Sequence, residues 1–478
     1  MNVYPNLIAG KQVASSDRNR DINPSNIPDV VGEFARASTA DVDEAIATAR
    51  TAFKTWSRST PQERFDILDR AGTEIIARRE ELGRMLSREQ GKPLADGIGE
   101  AARAGYIFKF FAGEAVRLIG EKGDSVRPGI DVEVTREPLG VIAAITPWNF
   151  PLAIPAWKIA PALAYGNCIV FKPAELVPAS PWMLADIVQR AGLPAGVLNL
   201  VMGPGSRIGA TLASSKHIDA VSFTGSRDVG PGVAAAAVKA GARVQLEMGG
   251  KNPLIVVDDA DLATAVSIAV NGAYFQAGQR CTASSRIIVT EGIHDRFVAA
   301  MVDQMKKLVI DDALKPGTQI GPVVDDRQLQ KNLEYVEIGK KEGARLQYGG
   351  ERLKRDTDGY YMSPALFTDT AQEMRINQEE VFGPVAAVIR VKNYEEALAV
   401  ANATPFGLSG GIVTTSLKYA NHFKRNTETG LAMVNLPTAG LDYHVPFGGR
   451  KHSSYGPREQ GTYAREFYTI VKTAYTSA

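Results

Sequence analysis

Strands and helices alternate about four times between residues 140 and 250, and this alternation is the feature that most constrains the fold. The short apolar segments VIAAI, CIVFKP, AVSFTG and RVQLEMGG have the length and composition of buried strands, and amphipathic stretches separate them. Strands joined by helical crossovers form a parallel sheet. A second alternating stretch runs from about 252 to 435. The sequence therefore predicts an α/β fold with two parallel-sheet lobes.

Outside the alternating core, the spacing of apolar residues predicts further elements. Residues 39–56 have helical spacing, with Thr39 as the expected N-cap. Residues 62–89 are expected to continue as one charged amphipathic helix. The segments 133–138 and 468–477 read as strands.

The composition excludes several classes of protein. Lys and Arg total 54 against 53 Asp and Glu, so no strong overall field favours nucleic acid or an anionic membrane. Hydrophobic residues make up 45% and charged residues 22%, which is typical of a globular protein and not of a disordered, coiled-coil or fibrous one. No apolar run approaches the ~20 residues needed to cross a bilayer, and no secretory signal pattern is visible. We expect a cytoplasmic protein.

Cysteine and histidine usage excludes a disulfide framework and favours no metal site. The chain has two cysteines, Cys168 and Cys281, which is typical of a reducing compartment. None of its five histidines has metal-ligand spacing, so we expect no metal.

Two glycine-containing loops follow predicted strands. The segment GPGSRIG at 203–209 is similar to a dinucleotide fingerprint but has the spacing G-x-G-x-x-x-G. The segment FTGSRDVG at 223–230 places Ser226 at a predicted helix N-terminus, which suits a phosphate; an ordinary capped turn is the alternative. The segment GLSGG at 407–411 lacks the strand–helix context of a nucleophile elbow and is rejected.

The segment FQAGQRCTASS contains a candidate nucleophile. Cys281 follows Gly278 and is adjacent to Arg280, and a neighbouring cation lowers the pKa of a thiol. A small buried residue is the alternative. Cys168 lies in the apolar segment CIVF and is interpreted as core.

Two further side chains have candidate chemical roles. Glu247 ends a strand-like run before Gly249 and Gly250, which makes it a candidate general base; a salt bridge to Lys251 is the alternative. Asn149 lies in the Pro-bounded loop PWNFP, where its amide can donate to an oxyanion; stabilisation of a turn is the alternative.

Seven segments together resemble the aldehyde dehydrogenase superfamily and occur in the order found in that family. The flanking helices and the last strand also fit, so the resemblance covers nearly the whole chain. The segments are TPWNFP at 146–151, KPAE at 172–175, FTGS at 223–226, EMGGKNP at 247–253, GQRCTA at 278–283, EEVFGPV at 379–385 and PFGG at 446–449.

The resemblance implies an NAD(P)-dependent enzyme that oxidises an aldehyde to a carboxylic acid. Cys281 would form a thiohemiacetal, with the Asn149 amide and the Cys281 backbone N–H holding the oxyanion. Hydride would pass to the nicotinamide, and Glu247 would activate the water that hydrolyses the resulting thioester.

The resemblance also implies how the cofactor binds. Lys172 and Glu175 match ribose contacts, and Glu175 would repel a 2′-phosphate. NAD is therefore the expected cofactor and NADP the alternative, because some relatives with Glu at this position use NADP. The implied cofactor residues are Ile145, Trp148, Lys172, Glu175, Gly205, Gly225, Ser226, Val229, Met248, Glu380 and Phe382.

The tail departs from the usual family pattern, since Ser454 stands where a glycine is usual and Pro457 is inserted. This variant resembles a bacterial subgroup that oxidises α-ketoglutarate semialdehyde (2,5-dioxopentanoate). We expect Arg280 to bind the substrate carboxylate, with His444 or a nearby hydroxyl in second place. The alternative is that Arg280 only adjusts the Cys281 pKa or pairs with a surface carboxylate. The expected substrate residues are Phe150, Ile154, Trp157, Arg280 and His444.

The resemblance also divides the chain. We expect an NAD(P)-binding, Rossmann-like domain over 1–122 and 140–247 and a catalytic domain over 248–447. Residues 123–139 and 460–478 would form a small β element that joins subunits into a homodimer or homotetramer.

Three alternative functions remain beside α-ketoglutarate semialdehyde oxidation. A succinate semialdehyde enzyme is a near relative, although many such enzymes carry Arg where this chain has Trp157. A broad aliphatic or aromatic aldehyde dehydrogenase is the second. A cysteine hydrolase without nucleotide is the third, and it lacks a recognisable His partner. A non-catalytic relative is disfavoured because Cys281, Glu247 and Asn149 are all present.

Overall fold

The structure, a computed structural model, describes residues 2–477 and confirms the α/β class. The half of the chain that ends at Glu247 contains twelve strands and eight helices. The strands are β1 Val3–Tyr4, β2 Asn6–Ile8, β3 Lys11–Val13, β4 Arg18–Ile22, β5 Val30–Ala35, β6 Glu121–Asp124, β7 Ile130–Pro138, β8 Val141–Ile145, β9 Cys168–Lys172, β10 Leu198–Leu200, β11 Ala220–Thr224 and β12 Arg243–Glu247. The helices are α1 Thr39–Trp56, α2 Pro61–Ala77, α3 Arg79–Gln90, α4 Leu94–Arg117, α5 Ala153–Ala164, α6 Ala179–Arg190, α7 Ala210–Ser214 and α8 Gly230–Lys239, with a π-helical turn over Gly205–Gly209 before α7.

The remainder of the chain contains eleven strands and seven helices. The strands are β13 Asn252–Val256, β14 Ser284–Thr290, β15 Arg345–Tyr348, β16 Ala365–Thr368, β17 Val385–Val391, β18 Phe406–Gly407, β19 Ser409–Val413, β20 Leu431–Val434, β21 Arg450–Lys451, β22 Ser454–Tyr455 and β23 Thr469–Ser477. The helices are α9 Leu262–Tyr274, α10 Glu291–Met305, α11 Asp326–Lys341, α12 Arg375–Gln378, α13 Tyr394–Asn402, α14 Leu417–Asn426 and α15 Arg465–Tyr468, with 3₁₀ turns over Phe275–Gly278 and Thr462–Ala464.

The first lobe is built on an eight-stranded sheet in the order β22-β12-β11-β8-β9-β10-β2-β3. The five strands from β12 to β10 are parallel, and the outer strands β22, β2 and β3 pair antiparallel. The strand order reverses between β8 and β11, and ligands bind outside the carboxyl ends of strands at such a reversal. The loops after β8, β11 and β12 carry the TPWNFP, FTGS and EMGG segments, so the fold gathers them at one edge.

The second lobe contains a seven-stranded sheet in the order β15-β16-β17-β14-β13-β19-β20, in which only β15 is antiparallel. The chain passes from β12 of the first sheet to β13 of the second through residues 248–251. Cys281 lies three residues before β14 starts at Ser284. The amino ends of β13 and β14 therefore face the carboxyl edge of the first sheet.

A separate three-stranded antiparallel sheet has the order β23-β7-β6. Its strands β7 and β23 correspond to the segments 133–138 and 468–477 that the sequence predicted as strands. All of β23 after Thr469 is exposed. Residues just before β23 pack elsewhere, because Ala464, Phe467 and Tyr468 belong to the core of the first lobe.

The helices near the N-terminus differ from the prediction in two places. Ser38 is the N-cap of α1 and exchanges hydrogen bonds with Asp41, whereas Thr39 is the first helical residue. The predicted helix over 62–89 is two helices, α2 and α3. They are separated at Arg78, whose backbone has φ −98° and ψ 15°.

Helix α4, which the sequence did not predict, is 24 residues long and packs against α2 and α3. A Cβ atom at Gly97 of α4 would lie 2.5 Å from the carbonyl oxygen of Gly83 in α3, so α3 and α4 approach closely only because both residues are glycines. This packing brings one face of α4 to the candidate site.

No helix within residues 2–477 is both long and apolar enough to span a membrane.

Candidate active site

Two adjoining cavities lie between the lobes and share Ile154 and Cys281 in their walls. The larger, of about 520 Å³, is the cofactor cavity, because it lies at the loops after β8, β11 and β12. The smaller, of about 310 Å³, is the substrate cavity. The Cys281 side chain is therefore accessible from two sides, as a nucleophile between a cofactor and a substrate must be.

Ten of the eleven expected cofactor residues line the cofactor cavity. They are Ile145, Trp148, Lys172, Gly205, Gly225, Ser226, Val229, Met248, Glu380 and Phe382. Sequence reasoning missed several others that share this wall, including Thr146, Phe223, Thr224, Gly249, Arg327, Gln328 and Lys331. Thr146, Thr224 and Gly249 are each adjacent in the chain to an expected residue. Arg327, Gln328 and Lys331 lie in the first part of α11, outside the segments that carry the family resemblance.

The walls fit a dinucleotide at both ends. At one end, Gly225 and Ser226 line the wall in the loop that leads to the N-terminus of α8, the end of a helix that favours a phosphate. At the other, the Glu380 carboxylate accepts a 2.8 Å hydrogen bond from the Gly250 N–H. A Cβ atom at Gly249 would lie 2.0 Å from the Glu380 carboxylate, so only glycine fits there. These contacts fix Glu380 at the cavity wall.

Glu175 is the expected cofactor residue that does not line the cavity. Its carboxylate is paired with Arg36, whose Nη2 atom lies 2.8 Å from Oε1. Its backbone oxygen accepts from Asn19. The negative charge that was expected to repel a 2′-phosphate is therefore compensated by a cation from a strand–helix loop 139 residues earlier.

The loop before Cys281 is held in an unusual backbone conformation. Gln276, Ala277 and Gly278 all have φ between 54° and 65°, and a Cβ atom at Gly278 would lie 2.3 Å from the Gly383 carbonyl oxygen. Arg280 donates from Nη2 to the backbone carbonyls of Asn271 and Gly272 near the end of α9. Favourable interaction of a cation with helix C-terminal carbonyls stabilises this loop.

The pKa of Cys281 runs opposite to the expectation from its neighbour Arg280. Burial raises the pKa of the Cys281 thiol to about 12, and the negative charges of Glu380 and Glu247 act in the same direction. The Arg280 cation does attract a Cys281 thiolate, but burial outweighs the expected lowering of the thiol pKa, and the guanidinium also donates to the carbonyls of α9. The resting nucleophile is a thiol, and it needs a base.

Asn149 is buried beside the nucleophile loop. Its Nδ2 atom donates to the Gln279 carbonyl at 3.1 Å, which leaves its second N–H available. Its backbone carbonyl accepts from the Lys92 ammonium at 2.8 Å, and Lys92 also pairs with Glu100 at 2.5 Å. The buried ion pair therefore holds the backbone of Asn149, and the Gln279 carbonyl orients its side-chain amide towards the nucleophile loop.

Glu247 is 2% exposed and does not pair with Lys251. Burial raises the pKa of its carboxyl well above the ordinary value, and the nearby Glu459 raises it further. Its one hydrogen bond from a side chain of residues 2–477 comes from Ser454, whose hydroxyl donates to Oε2 at 2.5 Å. Ser454 faces Glu247 because the two residues pair directly between β22 and β12. The residue that departs from the family pattern therefore contacts the candidate base.

Four of the five expected substrate residues, Phe150, Ile154, Trp157 and Arg280, line the substrate cavity. His444 is exposed, its ring packs edge-on against Tyr443, and it is not part of this wall. The expected contact between His444 and the substrate carboxylate is not supported, because the His444 side chain is exposed to solvent outside the cavity.

One face of α4 supplies wall residues that sequence reasoning missed. They are Ala95, Asp96, Gly99, Glu100 and Arg103. The spacing of Asp96, Glu100 and Arg103, four and then three residues apart, places them on one face of a helix. That periodicity of charge within a Gly- and Ala-rich segment was the available signal.

Comparisons with known proteins agree with this geometry. The model of the Aldehyde dehydrogenase family matches residues 12–474. The chain is 43% identical to the α-ketoglutaric semialdehyde dehydrogenase of Bacillus subtilis, over 99% of this chain and 98% of the relative. It is 40% identical to the 2,5-dioxopentanoate dehydrogenase of Saccharolobus solfataricus, over 99% of both chains.

A solved structure is similar over the same extent. The crystal structure of betaine aldehyde dehydrogenase from Staphylococcus aureus in complex with NAD⁺ superposes with a TM-score of 0.96 at 35% identity, covering 99% of this chain and 95% of that one. The α/β fold, the cysteine between two cavities and the similarity to these enzymes together define the class of the protein as an oxidoreductase. The chain belongs to the aldehyde dehydrogenase family.

The contact between Ser454 and Glu247 predicts a pH effect. A hydrogen bond to the ionised carboxylate lowers its pKa, so Ser454→Gly should raise the pKa of Glu247 further. A base acts only when ionised, so the acidic limb of the pH–rate profile should move to higher pH. Steady-state oxidation measured from pH 5 to 10 tests this.

Ser454→Thr is the matched control, because it keeps the hydroxyl and should keep the wild-type profile. An unchanged limb in Ser454→Gly, or a limb moved to lower pH, would contradict a role of Ser454 in setting the charge of Glu247.

Proposed function

We propose that this enzyme oxidises α-ketoglutarate semialdehyde to α-ketoglutarate with NAD as the oxidant. The observation that carries the substrate is the similarity, over nearly the whole chain, to relatives named for this semialdehyde. The substrate cavity supports it, since it combines an apolar wall of Phe150 and Trp157 with cationic residues next to Cys281.

Cys281 forms the covalent intermediates. Its sulfur adds as the thiolate to the aldehyde carbon to give a thiohemiacetal, after the thiol proton has been lost to solvent. The free N–H of the Asn149 amide and the Cys281 backbone N–H stabilise the oxyanion. After oxidation of this adduct to a thioester, Glu247 removes a proton from water, and hydrolysis releases the acid and the thiol.

The residues of the larger cavity would hold the cofactor. Gly225 and Ser226 would bind the pyrophosphate, Lys172 and Gly205 the adenosine end, and Glu380 and Phe382 the nicotinamide ribose. When bound, NAD accepts the hydride. Burial lowers the pKa of Lys172 to about 8. Burial thus favours the neutral amine, which can still donate a hydrogen bond.

Glu247→Gln should separate the two halves of this reaction. The glutamine cannot take a proton from water, so one NADH should form per active site in a rapid burst, followed by turnover slowed by about 10²-fold or more. Stopped-flow absorbance at 340 nm measures both phases.

Cys281→Ala is the control for that burst, since without the thiol neither phase should appear. Loss of burst and steady state in equal measure in Glu247→Gln would assign Glu247 to the first half-reaction instead.

The pair between Arg36 and Glu175 bears on the choice of cofactor. Glu175 accepts well from ribose hydroxyls, which favours NAD, whereas Arg36 compensates the charge that would repel a 2′-phosphate. We therefore infer that NAD is preferred and NADP is also accepted.

A panel of aldehydes tests the proposed function directly. We expect the highest kcat/KM with 2,5-dioxopentanoate, a lower value with succinate semialdehyde, and at least about 10-fold lower values with uncharged pentanal, because the latter lacks a charge-assisted contact. Each aldehyde is measured with NAD and with NADP. A preference for pentanal would refute the substrate, and activity without nucleotide would support a hydrolase.

The assembly and location are also proposals. The exposed residues Ile470, Val471 and Tyr475 on β23 leave an apolar strand available, and we infer that it extends the sheet of a second copy. Both cysteines are free thiols, as the reducing cytoplasm would keep them.

Light scattering at micromolar concentration should therefore give two or four times the 51.4 kDa of one chain. Val471→Lys on β23 should lower the mass by placing a charge in the contact. A wild-type mass of one chain would refute the assembly.

A further inference from the structure

The substrate cavity contains carboxylates as well as cations, and their charges are not equally available. Glu100 is compensated by Lys92 at 2.5 Å and accepts from the backbone N–H groups of Leu152 and Ala153. Burial raises the pKa of the Asp96 carboxyl, and the cations of Lys92 and Arg280 partly compensate its charge. Neither acid therefore prevents an anion from entering the cavity.

Arg103 is the cation of this wall with the fewest protein partners. Its Nη2 atom makes one weak hydrogen bond, at 3.3 Å, to the neutral side chain of Gln460. Its Nε atom is buried with no acceptor, and no carboxylate of residues 2–477 forms a salt bridge with it. Burial lowers the pKa of Arg103, and the charges of Glu100 and Asp442 offset this without a direct contact. A partly desolvated guanidinium without a contacting counter-ion is costly, so an anionic partner from outside the chain is expected.

A second donor without a partner lies beside Arg103. The Arg103 guanidinium is 6.0 Å from the centre of the Trp157 ring, and the Trp157 Nε1 atom is also buried without an acceptor. Trp157 stacks on Phe447 at 5.3 Å, which fixes its ring. The two side chains come from α4 and α5 and line the same wall.

Arg280 has a different environment, although it lines the same cavity. Its Nε atom is also buried without an acceptor, but its Nη2 atom donates to two backbone carbonyls. Burial lowers the pKa of Arg280 to about 10, and the charge of Asp96 acts in the opposite direction. Its charge is largely used to hold the loop that precedes Cys281.

We propose that Arg103, with the Trp157 Nε1 as a second donor, binds the carboxylate at the far end of the substrate, and that Arg280 positions the nucleophile loop. This inference rests on the proposed function, since it takes the substrate to be a dicarboxylic semialdehyde. Arg103 is then the residue that sets specificity for a charged aldehyde over an uncharged one of the same length.

The test compares Arg103→Met with wild type on 2,5-dioxopentanoate and on pentanal. The kcat/KM for the charged substrate should fall by about 10²-fold, as expected for loss of a charge-assisted contact, and that for pentanal should fall far less. The loss should appear mainly in KM, because the distal carboxylate is bound alike in the ground and transition states. Arg103→Lys should recover part of the loss.

Two further variants serve as comparisons. Lys109→Met, on the same helix but paired with Asp69 away from the cavity, should behave as wild type on both substrates. Arg280→Met should lower both substrates alike, because it loosens the nucleophile loop. Should Arg103→Met fail to fold, Trp157→Phe removes only the Nε1 donor and should lower kcat/KM for the charged substrate selectively, by about 5-fold.

Equal losses on both substrates in Arg103→Met, or a selective loss in Arg280→Met alone, would overturn the assignment. The wild-type panel separates this failure from failure of the proposed function. Preference of the wild type for pentanal refutes the substrate, whereas a wild type that prefers the semialdehyde, with no selective loss in Arg103→Met, refutes only the role of Arg103.

Discussion

The side chain of Asn252 joins the parts of the site that come from different places in the chain. Its Nδ2 atom donates to the backbone carbonyls of Cys281 and Ala283, and its Oδ1 atom accepts from the Ser409 N–H. One amide at the first residue of β13 thereby holds the nucleophile loop against two strand ends. The nucleophile is consequently placed by buried hydrogen bonds of the second sheet, while the base and the cofactor loops come from the edge of the first.

Two buried ion pairs lie close to this junction. Lys92 pairs with Glu100, and Lys158 pairs with Glu459, and all four side chains are almost completely buried. Removing one partner of such a pair leaves a buried charge that is strongly destabilising. Glu247 forms no salt bridge with a cation of residues 2–477; the Ser454 hydroxyl donates to it, and the charges of Lys158 and Arg458 favour its ionised form. A carboxylate held this weakly can take up and release a proton, which a fully paired one cannot.

The sequence predicted the central parallel strands of the first sheet, an alternating pattern for the second, and ten residues of the cofactor wall, because buried parallel strands read as short apolar runs. It failed for α4, whose many Gly and Ala residues give a weak apolar stripe although they allow close helix packing. It predicted a lowered pKa for Cys281 from the adjacent Arg280, and it did not predict that burial of the thiol would raise the pKa instead. The partner of Glu175 lies 139 residues away, and no local pattern indicates such a contact.

The two reacting groups of the site share one electrostatic problem. Burial raises the pKa of both Cys281 and Glu247, and each negative charge disfavours the other. Moving a proton between the two groups therefore exchanges one disfavoured anion for another. The carboxylate is favoured by the Ser454 hydroxyl and by the charges of Lys158 and Arg458, and the thiolate is favoured by the backbone N–H groups of Cys281 and Thr282. Changes in these local interactions shift which of the two groups carries the proton.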